Sequence, residues 1–415
     1  MTDYEVTRLV QSLPKTVPFV GPESQERERN RAFIARIGAN ENVFGPSPKV
    51  ISTIGRVAQE SWMYGDPEIQ ELTDALAQHY GVSTENLLVG EGIDGLLGYT
   101  VRMFVQSGDT VVTSAGAYPT FNYHVIGYGG NLEFVPYSND HEDTEQLVDA
   151  ACAHKVKLVY LANPDNPMGT WWNSDVIEAM IERIPKGTLL LLDEAYGEFA
   201  PPGALPSLDI SNPRVLRFRT FSKAYGLAGI RIGYVIGERG LIGQFNKVRN
   251  HFGVGRLAQA AALSALSDND HLEQVCRKVG EARRRIARIA LDNGLSSIKS
   301  AANFVAVDCG KDGSFATAVL AELVRQGIFV RMPGIAPLNR CIRVSVGLDS
   351  DLDEFSKALP QALLAAGSSV DPFWSLYQQH FTKDVQAILK QYRIGQLDPN
   401  GVVEVDPTDP YSTDP

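Results

Sequence analysis

The sequence predicts an α/β protein with a largely parallel sheet, and this prediction depends on three observations. Strand-like apolar runs alternate with helical patterns through the middle of the chain. Several runs, such as the four leucines of 189–192, are continuously apolar, so helices should cover both faces of the sheet. After one long helical pattern the alternation restarts, which indicates a second, smaller α/β unit.

Each predicted element has a local reason. The strands of the first unit are apolar runs, at 109–114, 157–162, 188–193, 214–220 and 231–237. Its helices have helical spacing of apolar residues, at 174–184, 257–266 and 271–293, and Gly294 ends the last of them. The second unit has strands at 303–308, 327–332 and 341–346 and helices at 315–326 and 352–366.

Composition excludes several classes of protein. The 415 residues are 44% hydrophobic, enough for a large core, and the net charge of −11 argues against a nucleic-acid or anionic-membrane partner. No signal-peptide pattern and no run of about 18 apolar residues occurs, so a cytoplasmic protein without a membrane span is expected. Four dispersed cysteines without nearby histidines indicate neither a metal site nor a disulfide framework.

One lysine lies in a small-residue turn between two predicted strands. An unpaired ammonium at the mouth of a buried sheet is costly, so the pKa of Lys223 should fall and its amine should become a nucleophile that forms a Schiff base with an aldehyde. Thr220, Ser222 and Arg231 stand close by in the sequence and would suit a phosphate. An aldehyde together with a phosphate describes pyridoxal phosphate.

Two further segments fit this cofactor. The glycine-rich turn 89–95 opens a helical stretch, and the N–H groups of Gly92, Ile93 and Asp94 would hold a phosphate there, although the turn by itself is also consistent with a simple tight turn. Asp193 follows the four leucines, where a buried carboxylate needs a cationic partner such as a pyridinium N–H. Asp193 and Glu194 would otherwise resemble a metal or nucleotide-hydrolase pair, but no phosphate-binding loop of the Walker type accompanies them.

The segment 222–234, S-K-A-Y-G-L-A-G-I-R-I-G-Y, resembles the lysine signature of class I/II aminotransferases, most closely the histidinol-phosphate aminotransferase branch. With four other motifs the resemblance covers about residues 15–365. It implies fold type I of the pyridoxal-phosphate enzymes. The large domain, 46–294, would carry a mostly parallel seven-stranded sheet, 295–366 would form a smaller α/β domain, and 1–45 would pack on the small domain. The tail, 367–415, has no family counterpart; an amphipathic helix over 373–392 and a disordered acidic end are expected.

The resemblance also assigns roles to cofactor-site residues. In N-P-D-N-P-M-G, 163–169, Asn166 corresponds to the residue that contacts the cofactor 3′-oxygen, and Tyr196 would reach the same oxygen. Tyr118 would lie flat on the cofactor ring. Lys223, Asp193 and Tyr196 are the implied catalytic residues. Tyr64 matches a tyrosine that crosses a dimer interface to the neighbour's cofactor phosphate, which implies a homodimer with shared sites.

Substrate recognition is implied for four positions. Arg331 and Arg343 each interrupt an apolar strand and would bind an anion: in the wider family the residue at Arg343 binds a carboxylate, and in the histidinol-phosphate branch both hold a phosphate. Asn40 would line the substrate side. Phe19 stands where that branch often has tyrosine, so a hydroxyl is lost.

The implied reaction is transfer of an amino group from an amine or amino acid, with L-histidinol phosphate as the best candidate, to 2-oxoglutarate, as in histidine biosynthesis. An aromatic amino-acid aminotransferase and a decarboxylase or cyclase on the same scaffold stay open as alternatives. A non-enzymatic cofactor-binding sensor is disfavoured, because no helix-turn-helix pattern precedes the first motif.

Overall fold

A computed structural model describes residues 5–13, 20–368, 396–397 and 403–404. Phe19 and the helix expected over 373–392 lie outside the described residues. No helix in the described ranges is long and apolar enough to cross a membrane. Within the same ranges, no group of three or more His, Cys, Asp or Glu side chains is placed to hold a metal ion.

The helices alternate with the strands along most of the chain. The helices are α1 (Arg8–Ser12), α2 (Pro22–Arg29), α3 (Pro48–Val57), α4 (Gln70–Tyr80), α5 (Gly92–Phe104), α6 (Pro119–Gly127), α7 (Thr144–Ala153), α8 (Ser174–Arg183), α9 (Arg239–Phe245), α10 (Arg256–Leu266), α11 (Asn269–Asp292), α12 (Gly313–Arg325) and α13 (Asp349–Ser368). The strands are β1 (Ala35–Arg36), β2 (Leu87–Gly90), β3 (Thr110–Ser114), β4 (Asn131–Val135), β5 (Val156–Ala162), β6 (Leu189–Asp193), β7 (Val215–Thr220), β8 (Gly233–Gly237), β9 (Ser296–Ser297), β10 (Phe304–Asp308), β11 (Ile328–Phe329), β12 (Cys341–Ser345), β13 (Gln396–Leu397) and β14 (Val403–Glu404).

Seven strands form the main sheet, in the order β2-β8-β7-β6-β5-β3-β4. Strands β4, β3, β5, β6 and β7 pair in parallel, while β8 runs antiparallel to both β7 and β2. The predicted fold class, a mostly parallel seven-stranded sheet in an α/β protein, is confirmed. The expected strand at 231–237 starts only at Gly233, because Arg231 has a left-handed backbone with φ of 59°.

Helices cover both faces of this sheet. On β5, Leu158, Tyr160 and Ala162 pack into one apolar core with residues of α5 and α6, while Val159 and Leu161 pack into a second core with residues of α7 and α8. This alternation explains why the strands read as continuous apolar runs: both of their faces are buried.

The second unit is built around a smaller sheet. Strands β12, β10 and β9 form an antiparallel sheet, against which α11, α12 and α13 contribute apolar residues to one core. The N-terminal strand β1 pairs in parallel with β11, with Ala35 opposite Ile328 and Arg36 opposite Phe329. The segment that follows β1 is thereby carried toward the large sheet.

Candidate active site

The carboxyl ends of the parallel strands surround one cavity of about 140 Å³. In α/β sheets, ligands bind at this edge, because the loops that follow the strands leave a crevice there. The lining residues come from β5, β6, β7, the starts of α5 and α6 and the loops beside them: Ile93, Asp94, Tyr118, Tyr160, Ala162, Pro164, Asn166, Asp193, Ala195, Tyr196, Thr220, Ser222, Lys223, Ala228 and Arg231. Ten of these were selected from the sequence as cofactor or catalytic residues.

Lys223 enters the cavity from the turn that follows β7. Its Nζ donates a hydrogen bond to the Asn40 carbonyl oxygen (3.1 Å) and lies 5.5 Å from the centre of the Tyr196 ring. Burial lowers the pKa of Lys223 to about 8, and the nearby cations of Arg343 and Arg231 act in the same direction. About a tenth of this amine is therefore neutral, and nucleophilic, at pH 7, far more than for an ordinary lysine.

The N-terminus of α5 and the Arg231 guanidinium form one end of the cavity. Gly92, the first residue of α5, has φ of 87°, and a Cβ added there would lie 2.6 Å from Arg231 Nη2. The first N–H groups of a helix have no intrahelical partner and attract anions. Thr220 and Ser222 stand beside them, with the Ser222 N–H donating to Thr220 Oγ1 (3.0 Å). This end suits a phosphate.

One side chain at the same helix start already has a partner. Asp94 lines the cavity, but its Oδ1 lies 2.8 Å from His124 Nε2. Its carboxylate is thus engaged with α6, and only its backbone N–H is available to an anion.

Asp193 ends β6 with a nearly inaccessible carboxylate, 5% exposed. Burial raises the pKa of Asp193, and hydrogen bonds from the Tyr160 hydroxyl and the Ala195 N–H, together with the Lys223 cation, oppose this rise in part, which leaves the pKa at about 6. The Tyr160 hydroxyl donates to Oδ2 (2.7 Å) and the Ala195 N–H donates to Oδ1 (2.9 Å). The carboxylate therefore has two fixed donors and borders the cavity.

Two polar side chains mark a third part of the cavity. Asn166 Oδ1 accepts a hydrogen bond from Arg343 Nη1 (2.6 Å), which leaves its amide N–H groups for another acceptor. The Tyr196 hydroxyl accepts from Asn40 Nδ2 (3.2 Å), and burial raises its pKa. Tyr118 caps α6 at the cavity wall, where burial raises its pKa to about 12.

The two arginines selected from the sequence are neighbours in space. Arg331 and Arg343 form an isolated antiparallel bridge, in which directly opposed residues project to the same face. Burial and, to a smaller extent, the Arg331 cation lower the pKa of Arg343 to about 10. Arg343 Nε is buried without a hydrogen-bond partner, whereas Arg331 Nη2 donates to the Val20 carbonyl oxygen (2.7 Å).

Asn40 joins the small unit to the cavity. Its N–H donates to Ser345 Oγ (3.0 Å), and its carbonyl oxygen accepts from Asn303 Nδ2 (3.0 Å) as well as from Lys223. Asn40 is left-handed, with φ of 56°, a conformation that asparagine tolerates.

Tyr64 is not among the lining residues of the single chain. Its side chain is 78% exposed, and its ring centre lies 4.9 Å from that of Phe252.

Sequence reasoning missed Tyr160. The signal was present in the alternation of β5, which places residues 160 and 162 on one face, just before the Asn163-Pro164 turn.

The comparisons with known proteins agree with this geometry. A family model described as aminotransferase class I and II matches residues 34–359. The histidinol-phosphate aminotransferase 2 of Carboxydothermus hydrogenoformans is 32% identical over 364 residues, covering 86% of this chain and 99% of the relative. The histidinol-phosphate aminotransferase 1 of Nitrosococcus oceani is 37% identical over 360 residues, covering 85% of this chain and 95% of the relative.

A solved structure is similar to this chain in backbone as well as in sequence. The histidinol-phosphate aminotransferase of Sinorhizobium meliloti, crystallised in complex with pyridoxal-5′-phosphate, is 53% identical with a TM-score of 0.85, and the match covers 88% of this chain and 98% of that one. From the match of sequence, fold and motif order, we conclude that the chain belongs to the class I and II aminotransferase family.

Proposed function

We propose that this protein is a pyridoxal-phosphate-dependent aminotransferase that moves the amino group of L-histidinol phosphate to 2-oxoglutarate, a step of histidine biosynthesis. The observation that carries the proposal is the amine of Lys223, with its pKa lowered to about 8, in one cavity with Asp193 and Arg231. The two relatives described above support the choice of substrate, because each bears the name of that activity and matches nearly its whole length.

The residues of the cavity fit pyridoxal phosphate. Gly92 leaves the space between the start of α5 and the Arg231 guanidinium open, where any Cβ would intrude. A phosphate there would meet unpaired helix N–H groups and the hydroxyls of Thr220 and Ser222. Asp193, a buried carboxylate beside the cavity, suits the protonated ring nitrogen.

When bound, pyridoxal phosphate supplies an aldehyde that reacts with amines and a ring that withdraws electrons from the reacting carbon. Lys223, once its amine is free, carries a proton from one carbon of the reacting system to the next, as a general base and then a general acid. Asp193 would keep the ring nitrogen of the bound cofactor protonated. Asn166 and Tyr196 would donate to its phenolic oxygen, and Tyr118 would pack on its ring.

The substrate phosphate is assigned to Arg331 and Arg343. Their backbones pair directly, so two guanidinium groups project from adjacent positions on one face. Two such cations suit a dianion better than a single carboxylate requires. Asn40 would lie on the substrate side, and the role expected of Phe19 stays a prediction.

A pair of substrates and a pair of variants test this assignment. Arg331→Ala should raise KM for L-histidinol phosphate roughly ten- to a hundredfold, the effect of losing one charge-assisted contact, and should change KM for L-phenylalanine little. Arg288→Ala, which removes an exposed helix arginine paired with Asp292, is the matched control. Equal losses on both substrates would contradict the phosphate assignment.

The same assay addresses the alternative reactions. An aminotransferase consumes 2-oxoglutarate and releases glutamate in equal amounts, whereas a decarboxylase releases CO₂ without consuming the oxo acid. Product analysis of the wild-type enzyme therefore decides between them.

We also propose a homodimer with shared sites. The exposed ring of Tyr64 fits a residue that completes the neighbour's phosphate site. The proposed domains are 46–294 and 295–366, with 1–45 on the small domain, which the pairing of β1 with β11 supports. The cytoplasmic location and a separate tail, 367–415, stay predictions.

A further inference from the structure

The hydroxyl of Tyr160 lies beneath the cavity and bonds the carboxylate that faces it. The side chain is 0% exposed, and its hydroxyl donates to Asp193 Oδ2 at 2.7 Å. A buried hydroxyl needs a hydrogen-bond partner, and an ionised carboxylate accepts a stronger hydrogen bond than a neutral group does.

The main sheet sets the geometry of this contact. Ala162 of β5 pairs with Asp193 of β6 in parallel register, and Tyr160 precedes Ala162 by two positions on the same face. Both partners therefore stand on adjacent strands of the central sheet and not on loops. Their relative position is as rigid as the strand pairing itself.

Ring stacking restrains Tyr160 further. Its ring stacks on Phe121, with centroids 4.7 Å apart and an interplanar angle of 16°. Phe121 lies in α6, whose N-cap residue is Tyr118 on the cavity wall. One helix thus supplies both a ring to the cavity wall and the surface that holds Tyr160 in place.

The carboxylate of Asp193 consequently has one donor on each oxygen, the Ala195 N–H on Oδ1 and the Tyr160 hydroxyl on Oδ2. Two donors in fixed directions determine the plane of the carboxylate. They also favour its ionised form, since both hydrogen bonds are stronger to an anion.

We propose that Tyr160 is a positioning residue, which holds Asp193 ionised and oriented so that it would accept a hydrogen bond from the protonated ring nitrogen of the cofactor. This inference rests on the proposed function, because it assumes that Asp193 meets that nitrogen. Burial raises the pKa of Tyr160 well above its ordinary value, so its hydroxyl stays a donor across the working pH range.

Cofactor exchange into the full chain tests the proposal without measuring turnover. The two probes are pyridoxal phosphate and its analogue with a carbon atom in place of the ring nitrogen, and the readout is the ratio of their dissociation constants. The wild-type protein should prefer the natural cofactor. Tyr160→Phe should reduce this preference roughly tenfold or more, the effect of one lost hydrogen bond to a charged group, and should leave the affinity for the analogue nearly unchanged.

A matched control separates positioning from stability. Tyr234→Phe removes another buried tyrosine hydroxyl of the same sheet, one that bonds Tyr80 (2.7 Å) and not Asp193. It should leave the preference unchanged. If Tyr160→Phe does not fold, Phe121→Leu loosens the ring stack, keeps the hydroxyl and should reduce the preference severalfold.

A double-mutant cycle completes the test. In an Asp193→Asn background, adding Tyr160→Phe should have no further effect on the preference, because the charged acceptor is absent. An unchanged preference in Tyr160→Phe, or an equal loss of affinity for both probes, would overturn the inference. A wild-type protein that binds both probes equally would instead overturn the assignment of Asp193 to the ring nitrogen, and with it the basis of the inference.

Discussion

Replacing Asp193 with asparagine is expected to stabilise the protein in its cofactor-free form. Burial raises the pKa of Asp193 from 3.8 to about 6. The folded chain thus binds this proton more tightly by about 2 pKa units, which makes the ionised folded state less stable by about 3 kcal/mol. Asparagine has nearly the same shape and carries no charge. Its oxygen can accept from the Ala195 N–H while its amide N–H donates to the Tyr160 oxygen, so both contacts of the carboxylate keep a counterpart. About 3 kcal/mol is an upper limit, since Lys223 loses a nearby anion.

The stability that Asp193→Asn gains over the wild type should increase with pH. Below the unfolded pKa of 3.8, the carboxyl group is protonated in both states and its charge does not affect stability. Between pH 3.8 and about 6, the unfolded chain releases a proton that the folded chain retains, so the wild-type free energy of unfolding falls as pH rises. Above about pH 6 the wild-type free energy of unfolding falls no further on account of this group. The advantage of the variant should therefore be largest at about pH 7.5 and fall to about half at about pH 5.

Urea unfolding of the cofactor-free full chain at both pH values measures this difference. The control is Asp209→Asn, an exposed carboxylate whose pKa is lowered by the Ser211 hydroxyl and N–H, so its replacement should give no gain. Equal stability of wild type and Asp193→Asn at about pH 7.5, or an advantage that grows toward acid, would refute the reasoning.

Three further outcomes are expected. Lys223→Ala should abolish transamination. After borohydride reduction, mass spectrometry should find no cofactor covalently attached to this variant, and wild-type turnover in it would disprove the assignment. Gly92→Ala should weaken pyridoxal phosphate binding at least tenfold, because its Cβ would meet Arg231 at 2.6 Å and its φ of 87° disfavours alanine; a titration with wild-type affinity would show that the helix start has room for a side chain. Mixing inactive Tyr64→Ala and Lys223→Ala protomers should restore about a quarter of wild-type activity, as random hybrid dimers each regain one complete site. No recovery while subunits demonstrably exchange would argue against a shared site.

Much of the fold could be predicted because the central strands are continuous apolar runs in the sequence. The expected strands at 157–162 and 188–193 appear as β5 and β6, within one residue, since each is an apolar run buried on both faces. The strands β2 and β4 were not predicted. They lie at the two edges of the sheet, where four or five residues, partly exposed in β4, leave a weaker pattern.

The candidate site was predictable where its chemistry is local. Lys223, Arg231 and the hydroxyls before them lie within one turn and strand start, so their proximity follows from sequence spacing. Asp193 was predictable because a carboxylate directly after four leucines is buried and therefore needs a cationic partner. Tyr160 was overlooked because within an apolar run its hydroxyl has no evident purpose until the neighbouring strand is known.

By itself the sequence determined the fold class, the family resemblance and the residue types of the cavity, because periodicity, turn chemistry and motif spacing are properties of short segments. Only the tertiary structure decided which of these residues meet. The donor on Asp193, the pairing of Arg331 with Arg343 and the contact of Asn40 with Lys223 join positions separated by 33, 12 and 183 residues in the chain. Such contacts depend on strand order and register, which arise from the packing of the whole sheet and from no segment alone.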